Sequence, residues 1–372
     1  MRRISARTLV ILVTLSPTLL LAHPDDPKIY DRQPPYDGPG YRRALRGEPP
    51  AFPAVGLTLQ SWIPVTEFDP GFSAANDCWG YVSPSGREYA IIGLSGGTSF
   101  VEVTNPANAQ IVATLAGPSS TWRDIKVYQD YAYAVSEGGS GIQVFDLTQI
   151  DSGTVTLANT VTTGGSTTAT HNVVIDTVSG YLYRTGGGDE GLRIYDLSNP
   201  STPVYVASWT DRYVHDAQVV TYTSGPYAGR QIAFCASGFN GGWTETGIDI
   251  LDVTDKGNIF QVSRVFYSGP QYSHQLWLSP DRRYLYLDDE LDEQNNGTPT
   301  TTRVLDVSDL EAPFEIATYT NGNTSIDHNL YTRGSMIFAA NYRSGLRVFD
   351  ATDQTAPVEV AFYDTYAADD NA

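Results

Sequence analysis

The segment LRVFDAT (Leu346–Thr352) decides the fold, because its pattern occurs six times in the chain. In each copy an alternating apolar run is followed by an acid, an apolar residue and Ser or Thr. The acids, spaced 44, 50, 56, 54 and 44 residues apart, are Glu102, Asp146, Asp196, Asp252, Asp306 and Asp350. A strand-rich unit of this length indicates a propeller or a linear array. We expect each acid to accept backbone N–H groups in the turn that follows it.

Each unit divides into four strand-like pieces. In the last copy these are HNLYTRG, MIFAANY, LRVFDAT and VEVAFYDTY, with turn residues between them. Four antiparallel strands form one blade, and a blade buries its faces only between neighbours. The sequence therefore predicts an all-β, six-bladed β-propeller of four-stranded antiparallel blades. The early segment AVGLTLQSWIPV (Ala54–Val65) competes with the C-terminal PVEVAFYDTY (Pro357–Tyr366) to close the ring.

The composition favours a well-packed acidic protein. Hydrophobic residues make up 41% of the chain, and the 24 Tyr and 34 Gly suit strands joined by tight turns. The 42 acidic residues exceed the 23 basic ones and give a formal net charge of -19. Because this charge repels phosphate backbones and anionic membrane surfaces, nucleic acid is excluded as an expected partner.

The N-terminus resembles an export signal. A basic stretch, MRRISAR, precedes the apolar TLVILVTLSPTLLLA, which is short for a membrane span and contains Pro17. We therefore predict a secreted or periplasmic protein with no membrane span in the mature chain and no C-terminal anchor. The predicted division is a signal peptide (1–22), a Pro-rich extended leader (23–53), the propeller (54–366) and a short acidic tail (367–372).

The two cysteines, Cys78 and Cys235, each lie in an apolar strand-like run. Two cysteines in so long a chain do not make a disulfide framework. We interpret them as buried free thiols.

Four of the five histidines occupy one repeat position. Aligning the units on their first strands gives, at that position, Asn76, Arg123, His171, His215, His274 and His328. The residue that follows is always Asp, Asn or Gln, and includes Asp124 and Asp216. The first strand of each propeller blade lines the central channel. We therefore expect the four imidazoles to converge at one side of the channel mouth.

Two interpretations of this ring stay open. Imidazoles bind Zn, Cu, Fe or Ni, so the four histidines are candidate metal ligands. Alternatively, they form a hydrogen-bonded belt that ties blades together. Arg123 in the same ring favours a bound anion or carboxylate over a cation. The polar residues that follow the histidines either orient the rings or turn into the neighbouring blade; they are Asn172, Asp216, Gln275 and Asn329.

Loops after the second strands are expected to surround the same face. They carry Glu137, Asp189, Glu190, Trp243, Glu245 and the segment Asp288–Thr302, DDELDEQNNGTPTTT. Taken singly, these acids are ordinary solvated loop charges. Near the histidines they would complete a metal site or bind calcium, although the acidic segment lacks the spacing of an EF-hand. The predicted ligand face consists of Asn76, Arg123, Asp124, Glu137, Asp216, Trp243 and Glu245.

The repeats resemble a known family. The segments LRVFD and DILDVTDKGN are similar to the LVIVD repeat. The span from about Ser73 to Tyr366 resembles the choice-of-anchor B family of exported bacterial proteins, most closely in WGYVSPSGREYAIIGLSGGTSFVEVTNPA, SSTWRDIKVYQDYAYAVSEGG and SIDHNLYTRG. The resemblance implies a propeller and brings no established reaction.

Two classes of function follow. We favour a secreted, non-catalytic binding or scaffold protein whose histidine-bearing face holds a ligand, a metal, or a protein or glycan partner. The alternative is a metal-dependent hydrolase or lyase whose ring metal activates water, with Glu137 or Asp216 as the base. Hydrogen bonds from all the histidines to neighbouring blades would favour the first class.

Overall fold

The computed structural model describes residues 38–188, 191–240, 242–366 and 368. It contains six four-stranded antiparallel units arranged as a six-bladed propeller, which confirms the predicted fold class. None of the helices in the described ranges is long and apolar enough to cross a membrane. The predicted signal peptide, the first part of the leader and the acidic tail except residue 368 lie outside the described residues.

The strands of each blade follow one another in sequence. The inner strands are β4 (Ala75–Val82), β8 (Arg123–Tyr128), β12 (Asn172–Asp176), β16 (Asp216–Thr221), β20 (Ser273–Leu278) and β24 (Asn329–Arg333). The second strands are β5 (Glu88–Leu94), β9 (Tyr131–Ser136), β13 (Tyr181–Thr185), β17 (Gln231–Ser237), β21 (Tyr284–Asp289) and β25 (Met336–Asn341). The third strands are β6 (Gly97–Glu102), β10 (Ile142–Asp146), β14 (Leu192–Asp196), β18 (Gly247–Asp252), β22 (Thr301–Asp306) and β26 (Gly345–Asp350). The outer strands are β7 (Gln110–Ala116), β11 (Thr156–Val161), β15 (Val204–Trp209), β19 (Phe260–Val265), β23 (Phe314–Thr320) and β27 (Val358–Tyr363).

The repeated acids end the third strands and hold the turns that follow. Asp146, for example, accepts hydrogen bonds from the backbone N–H (2.8 Å) and hydroxyl (2.7 Å) of Thr148. Equivalent N–H bonds reach Asp196, Asp252, Asp306 and Asp350. The predicted turn role is therefore confirmed in five units. In the first unit Glu102 instead pairs with Arg87 across the blade.

Both segments predicted to close the ring contribute to blade 6. The C-terminal strand β27 is its fourth strand, and β2 (Ala54–Val55) adds a fifth strand outside it. Ala54 lies opposite Tyr363, and the Asp364 N–H donates to the Pro53 carbonyl (2.9 Å). The chain then continues from this outer edge to the inner strand of blade 1.

The described part of the leader packs against blade 1. Strand β1 (Tyr41–Arg42) pairs with β3 (Ser61–Trp62), and the Arg42 Nε–H donates to the Ala109 carbonyl (3.0 Å). The remaining elements are α1 (Val65–Phe68), α2 (Asp292–Asn296) and the 3-10 turns Arg43–Leu45, Pro106–Asn108 and Ile150–Ser152.

Five apolar clusters fill the seams from blades 1 and 2 through to blades 5 and 6. Fully buried Phe234 and Leu287, for example, belong to the cluster between blades 4 and 5. The seam between blades 6 and 1 is different, because two open cavities border it and Leu346 lines both.

Candidate metal site in the central channel

The four histidines of the repeat position lie together. Ring centroids are 4.5 Å apart for His171 and His215, 4.1 Å for His215 and His274, and 4.4 Å for His274 and His328. Three of the histidines immediately precede an inner strand and His274 is the second residue of one, so the propeller brings residues more than 40 positions apart into one row.

Hydrogen bonds to the next blade orient two of these rings. The Nδ1–H of His215 donates to the His274 carbonyl (2.9 Å), and the Nδ1–H of His274 donates to the His328 carbonyl (2.9 Å). Since a carbonyl only accepts, Nδ1 carries the hydrogen in the neutral ring, and the lone pair is on Nε2. The same bonds that tie the blades together therefore fix the direction of Nε2, as hydrogen bonds to the other ring nitrogen do in histidines that bind metals.

Glu290 completes a compact set of ligand atoms with two of the histidines. Its carboxylate oxygens lie 3.5 Å from His274 Nε2 and 3.9 Å from His328 Nε2, and the three ligand atoms all lie within 4.8 Å of one another. Ligands at about 2.0–2.1 Å from a tetrahedral zinc ion are roughly 3.4 Å apart, so small movements would suffice for coordination. Tyr342 donates its hydroxyl hydrogen to the same carboxylate.

Glu290 was not singled out from the sequence, although the repeat contains a signal for it. It is the first residue after a second strand, and the six equivalent residues are Ser95, Glu137, Gly186, Gly238, Glu290 and Tyr342. Three of the six, Glu137, Glu290 and Tyr342, contact a ring histidine. Aligning the second strands as well as the first would have identified this position.

His171 makes a different pairing. Its Nδ1 lies 2.5 Å from Glu137 Oε1, and both side chains are buried. Gly186 makes room for the ring, because a Cβ atom there would lie 2.5 Å from the His171 Cβ. The indole of Trp122 lies on another side, with its centroid 6.3 Å away. Of the four predicted metal ligands, His274 and His328 thus share the compact set with Glu290, while His171 pairs with Glu137.

A second charged group lies one residue after the histidine position of the repeat. Its acids are Asp77, Asp124 and Asp216. The Lys126 ammonium contacts Asp124 (2.6 Å) and Asp77 (3.9 Å) and lies 4.5 Å from the Trp79 ring centroid. Burial, followed by the charge of Asp124, raises the pKa of Asp77 well above its usual range. Burial raises the pKa of Asp216 to about 7. The sequence indicated Asp124 and Asp216 but not Lys126.

The amides at this position turn into neighbouring blades. The Asn172 amide donates to the His215 carbonyl (3.2 Å), and the Gln275 amide exchanges two 3.1 Å bonds with the backbone of Leu330. At the histidine position itself, the Asn76 Oδ1 accepts the N–H of Arg123 in the next blade (2.9 Å). These contacts hold the inner strands at a fixed spacing.

Arg123 is placed differently from its expected role. Its buried guanidinium donates to the Leu94 carbonyl (3.1 Å), Gln143 Oε1 (3.3 Å) and the Pro118 carbonyl (2.5 Å). Burial lowers its pKa to about 10. Because these acceptors belong to blades 1 and 2, the guanidinium stabilises their seam and does not present a cation to an anion in the channel.

The remaining predicted loop residues have different surroundings. Trp243 and the exposed Glu245 lie in the loop between β17 and β18, beside Arg212, which stacks over the Trp243 ring at 5.4 Å. Asp189 and Glu190 lie outside the described residues. In the acidic segment after β21, Glu290, Asp292 and Glu293 are all buried, and Glu290 approaches the histidines.

A cavity of about 900 Å³ opens beside the metal-ligand set. It is lined by His171, His274 and His328, and by the aromatic side chains of Trp79, Trp122, Trp277, Tyr331 and Phe338. Pockets of this size are typical for small organic ligands.

One cysteine borders this cavity. Cys78 is exposed to it, whereas Cys235 is buried, and both thiols are free. The prediction of two buried thiols is therefore wrong for Cys78. Desolvation by the surrounding cavity walls, followed by the charge of Asp77, raises the pKa of its thiol to about 11. At neutral pH it is protonated and weakly nucleophilic.

Comparisons with known proteins agree with the repeat. Residues 177–211, which include β13 to β15 of blade 3, match the LVIVD repeat. With its six blades, the protein is therefore a propeller repeat protein. A comparison with curated proteins returns no significant match.

Solved structures share the fold at low sequence identity. A provisionally named 6-phosphogluconolactonase from Bacteroides fragilis aligns with a TM-score of 0.58 at 14% identity, covering 78% of this chain and 85% of its own. A second, from Bacteroides uniformis, gives 0.57 at 15% identity, with coverages of 76% and 84%. A hypothetical selenium-binding protein from Sulfolobus tokodaii gives 0.54 at 12% identity, with coverages of 76% and 80%. At these identities the similarity concerns the fold.

Replacing Asp216 by Asn is expected to change how stability depends on pH. Between the ordinary pKa of 3.8 and the folded value of about 7, the folded protein holds a proton that the unfolded chain releases. Wild-type stability therefore falls as pH rises through this window. We expect Asp216→Asn to be about 2 kcal/mol more stable than wild type at about pH 8 and equal to it at about pH 4, roughly half the linkage limit because the side chain is partly open.

Urea unfolding of both proteins at the two pH values measures this difference. The exposed variant Asp309→Asn serves as the control and should show no such trend. The same gain for Asp216→Asn at both pH values would contradict the prediction.

Proposed function

We propose that the protein is an exported, non-catalytic binding protein that holds a transition metal ion at His274, Glu290 and His328 and a small ligand in the adjacent cavity. The observation that carries the proposal is the convergence of these three buried or half-buried ligand atoms within 4.8 Å of one another. Two imidazoles and a carboxylate suit zinc, and also copper, iron or nickel.

The surroundings of the three residues support metal binding. Glu290 is only 2% exposed, and ionising so deeply buried a carboxylate is unfavourable without a cation. The carbonyl of His328 orients the His274 ring, and Tyr342 orients the Glu290 carboxylate. Outer contacts of this kind are usual around protein metal sites. Three protein ligands leave a fourth position for a bound molecule.

The cavity walls favour a ligand with a ring face. Trp79, Trp122, Trp277 and Tyr331 present aromatic surfaces beside the proposed metal position. Such surfaces pack well against aromatic rings and against the apolar faces of sugars. We therefore favour a small aromatic molecule or a glycan fragment that also carries a metal-binding oxygen or nitrogen.

Hydrolysis is the second candidate: Asp216 follows the ring residue His215, and burial raises its pKa to about 7, which suits a general base at neutral pH. The other expected base, Glu137, is hydrogen-bonded to His171. If the protein is a metal-dependent hydrolase, metal-loaded protein should cleave esters or lactones, and both Asp216→Asn and Glu290→Gln should abolish the activity. Binding without turnover supports the first proposal.

Metal binding by wild type and two variants tests the site. We expect about one equivalent of Zn²⁺ per chain after dialysis against a mild chelator, measured by plasma mass spectrometry. Titration calorimetry should give affinities about 100-fold lower for Glu290→Gln and His328→Ala. The exposed Glu245→Gln should bind like wild type. The proposal fails if wild type binds no zinc, copper, iron or nickel, or if both variants bind as tightly as wild type.

A further inference from the structure

We propose that a calcium ion binds in the seam between blades 5 and 6, held by the carboxylates of Asp292, Glu293 and Asp327. This site is separate from the channel histidines and does not depend on the proposed function. Asp292 and Glu293 form the first turn of α2, directly after blade 5's second strand, and Asp327 precedes the inner strand of blade 6.

The three carboxylates have the spacing of a calcium site. One oxygen of each lies within 4.8 Å of the others, and each side chain is only 1% exposed. Calcium–oxygen bonds are about 2.3–2.6 Å long, so oxygens on opposite sides of the ion are roughly 4.6–5.2 Å apart. All three therefore fit within one calcium coordination sphere.

Asp327 is the residue that points most directly to a ligand. Neither of its carboxylate oxygens accepts a hydrogen bond from any residue that the structure describes. The same is true of one oxygen each of Asp288, Asp292 and Glu293. The four such oxygens of Asp292, Glu293 and Asp327 would supply half or more of the six to eight that calcium takes.

The other oxygens of the cluster are held by protein groups that orient them. Asp292 Oδ2 pairs with Arg303 (2.8 Å), and Glu293 Oε1 accepts the N–H of Thr301 (2.9 Å). Arg303 is one cation beside four buried acids. Buried negative charge that is not compensated is strongly unfavourable, and a divalent cation would compensate it.

Protonated carboxyl groups are the competing explanation. Asp288 and Asp327 approach closely enough to share a proton, and so do Asp292 and Glu293. A shared proton satisfies only one oxygen of each acid, however, and would leave the second oxygen of Asp327 without a partner. A hard cation between Asp292, Glu293 and Asp327 satisfies their four oxygens together, so the geometry favours calcium.

The site would also support the channel. Asp292 follows Glu290 by two residues, and Asp327 is adjacent to His328. A calcium ion would therefore tie together the two segments that carry the proposed channel ligands.

Calcium binding and thermal stability of the full chain test the proposal. After EGTA treatment and its removal, millimolar Ca²⁺ should bind at one equivalent per chain and raise the wild-type Tm by about 5 °C or more. Magnesium at the same concentration should have a much smaller effect, because its shorter bonds require a tighter site.

Variants separate this site from the histidines. Asp327→Asn and Glu293→Gln should each lose most of the calcium-induced rise in Tm and, in EGTA, be at least as stable as wild type because a buried charge is gone. Glu290→Gln should lose zinc affinity and keep the calcium response, and Asp309→Asn should behave as wild type. No bound calcium and no rise in the wild-type Tm would overturn the proposal, as would an unchanged calcium response in both Asp327→Asn and Glu293→Gln.

Discussion

Arg184→Met is expected to lower the free energy of unfolding by about 3–5 kcal/mol. Arg184 is completely buried in the second strand of blade 3, and methionine can fill much of its volume without donating a hydrogen bond. The groups that accept hydrogen bonds from its guanidinium are Thr170 Oγ1 (2.7 Å), Tyr195 Oη (2.9 Å) and the carbonyls of Gly164 (3.3 Å), Thr167 (3.1 Å) and Ala169 (3.2 Å).

The loss arises mainly from the backbone carbonyls left without this donor. Each buried acceptor without a donor costs about 1–3 kcal/mol. The acceptors of Arg184 between Gly164 and Thr170 lie in the segment that immediately precedes His171. Loss of these hydrogen bonds should therefore also displace His171 in the histidine row. Guanidinium chloride unfolding measures the change.

Arg230→Met is the matched control. Its side chain is 46% exposed, and its guanidinium lies 3.8 Å from the carboxylate of Asp252. Exposed pairs contribute little, so we expect a loss within about 0.5 kcal/mol. Equal losses for the two variants would show that burial of the Arg184 guanidinium is not the cause.

Gly186→Ala is expected to destabilise the protein by about 3 kcal/mol. Gly186 has a φ of +62°, and an added Cβ atom would lie 2.5 Å from the His171 Cβ. The left-handed conformation costs an L-residue about 1–2 kcal/mol, and displacing a buried, hydrogen-bonded histidine adds a similar amount. Glu137 would lose its alignment with His171.

Gly225→Ala isolates the contribution of this contact. Gly225 also has a positive φ, +78°, but its added Cβ would meet no atom within 4 Å. We expect a loss of about 1 kcal/mol, from backbone conformation alone. Urea unfolding of both variants measures the difference, and a Gly186→Ala loss no larger than that of Gly225→Ala would rule out the clash.

The repeat was sufficient to predict both the fold and the histidine row. Blades are built from contiguous sequence, so equivalent residues of the repeat occupy equivalent positions around the axis. That reasoning places His274 and His328 on neighbouring inner strands without any knowledge of their contacts. It does not give side-chain direction: Arg123 shares the repeat position, but its long side chain reaches carbonyls of blades 1 and 2.

The sequence alone determines the six blades, the turns held by five repeated aspartates, and a row of four histidines. These features arise from the alternation of apolar and polar residues, from the hydrogen bonds of the turns, and from the sixfold repetition of one unit. The grouping of Glu290 with His274 and His328, and of Asp327 with Asp292 and Glu293, emerges only in three dimensions. Each group joins side chains from two blades, and their distances depend on how closely those blades pack and on which acids are buried between them.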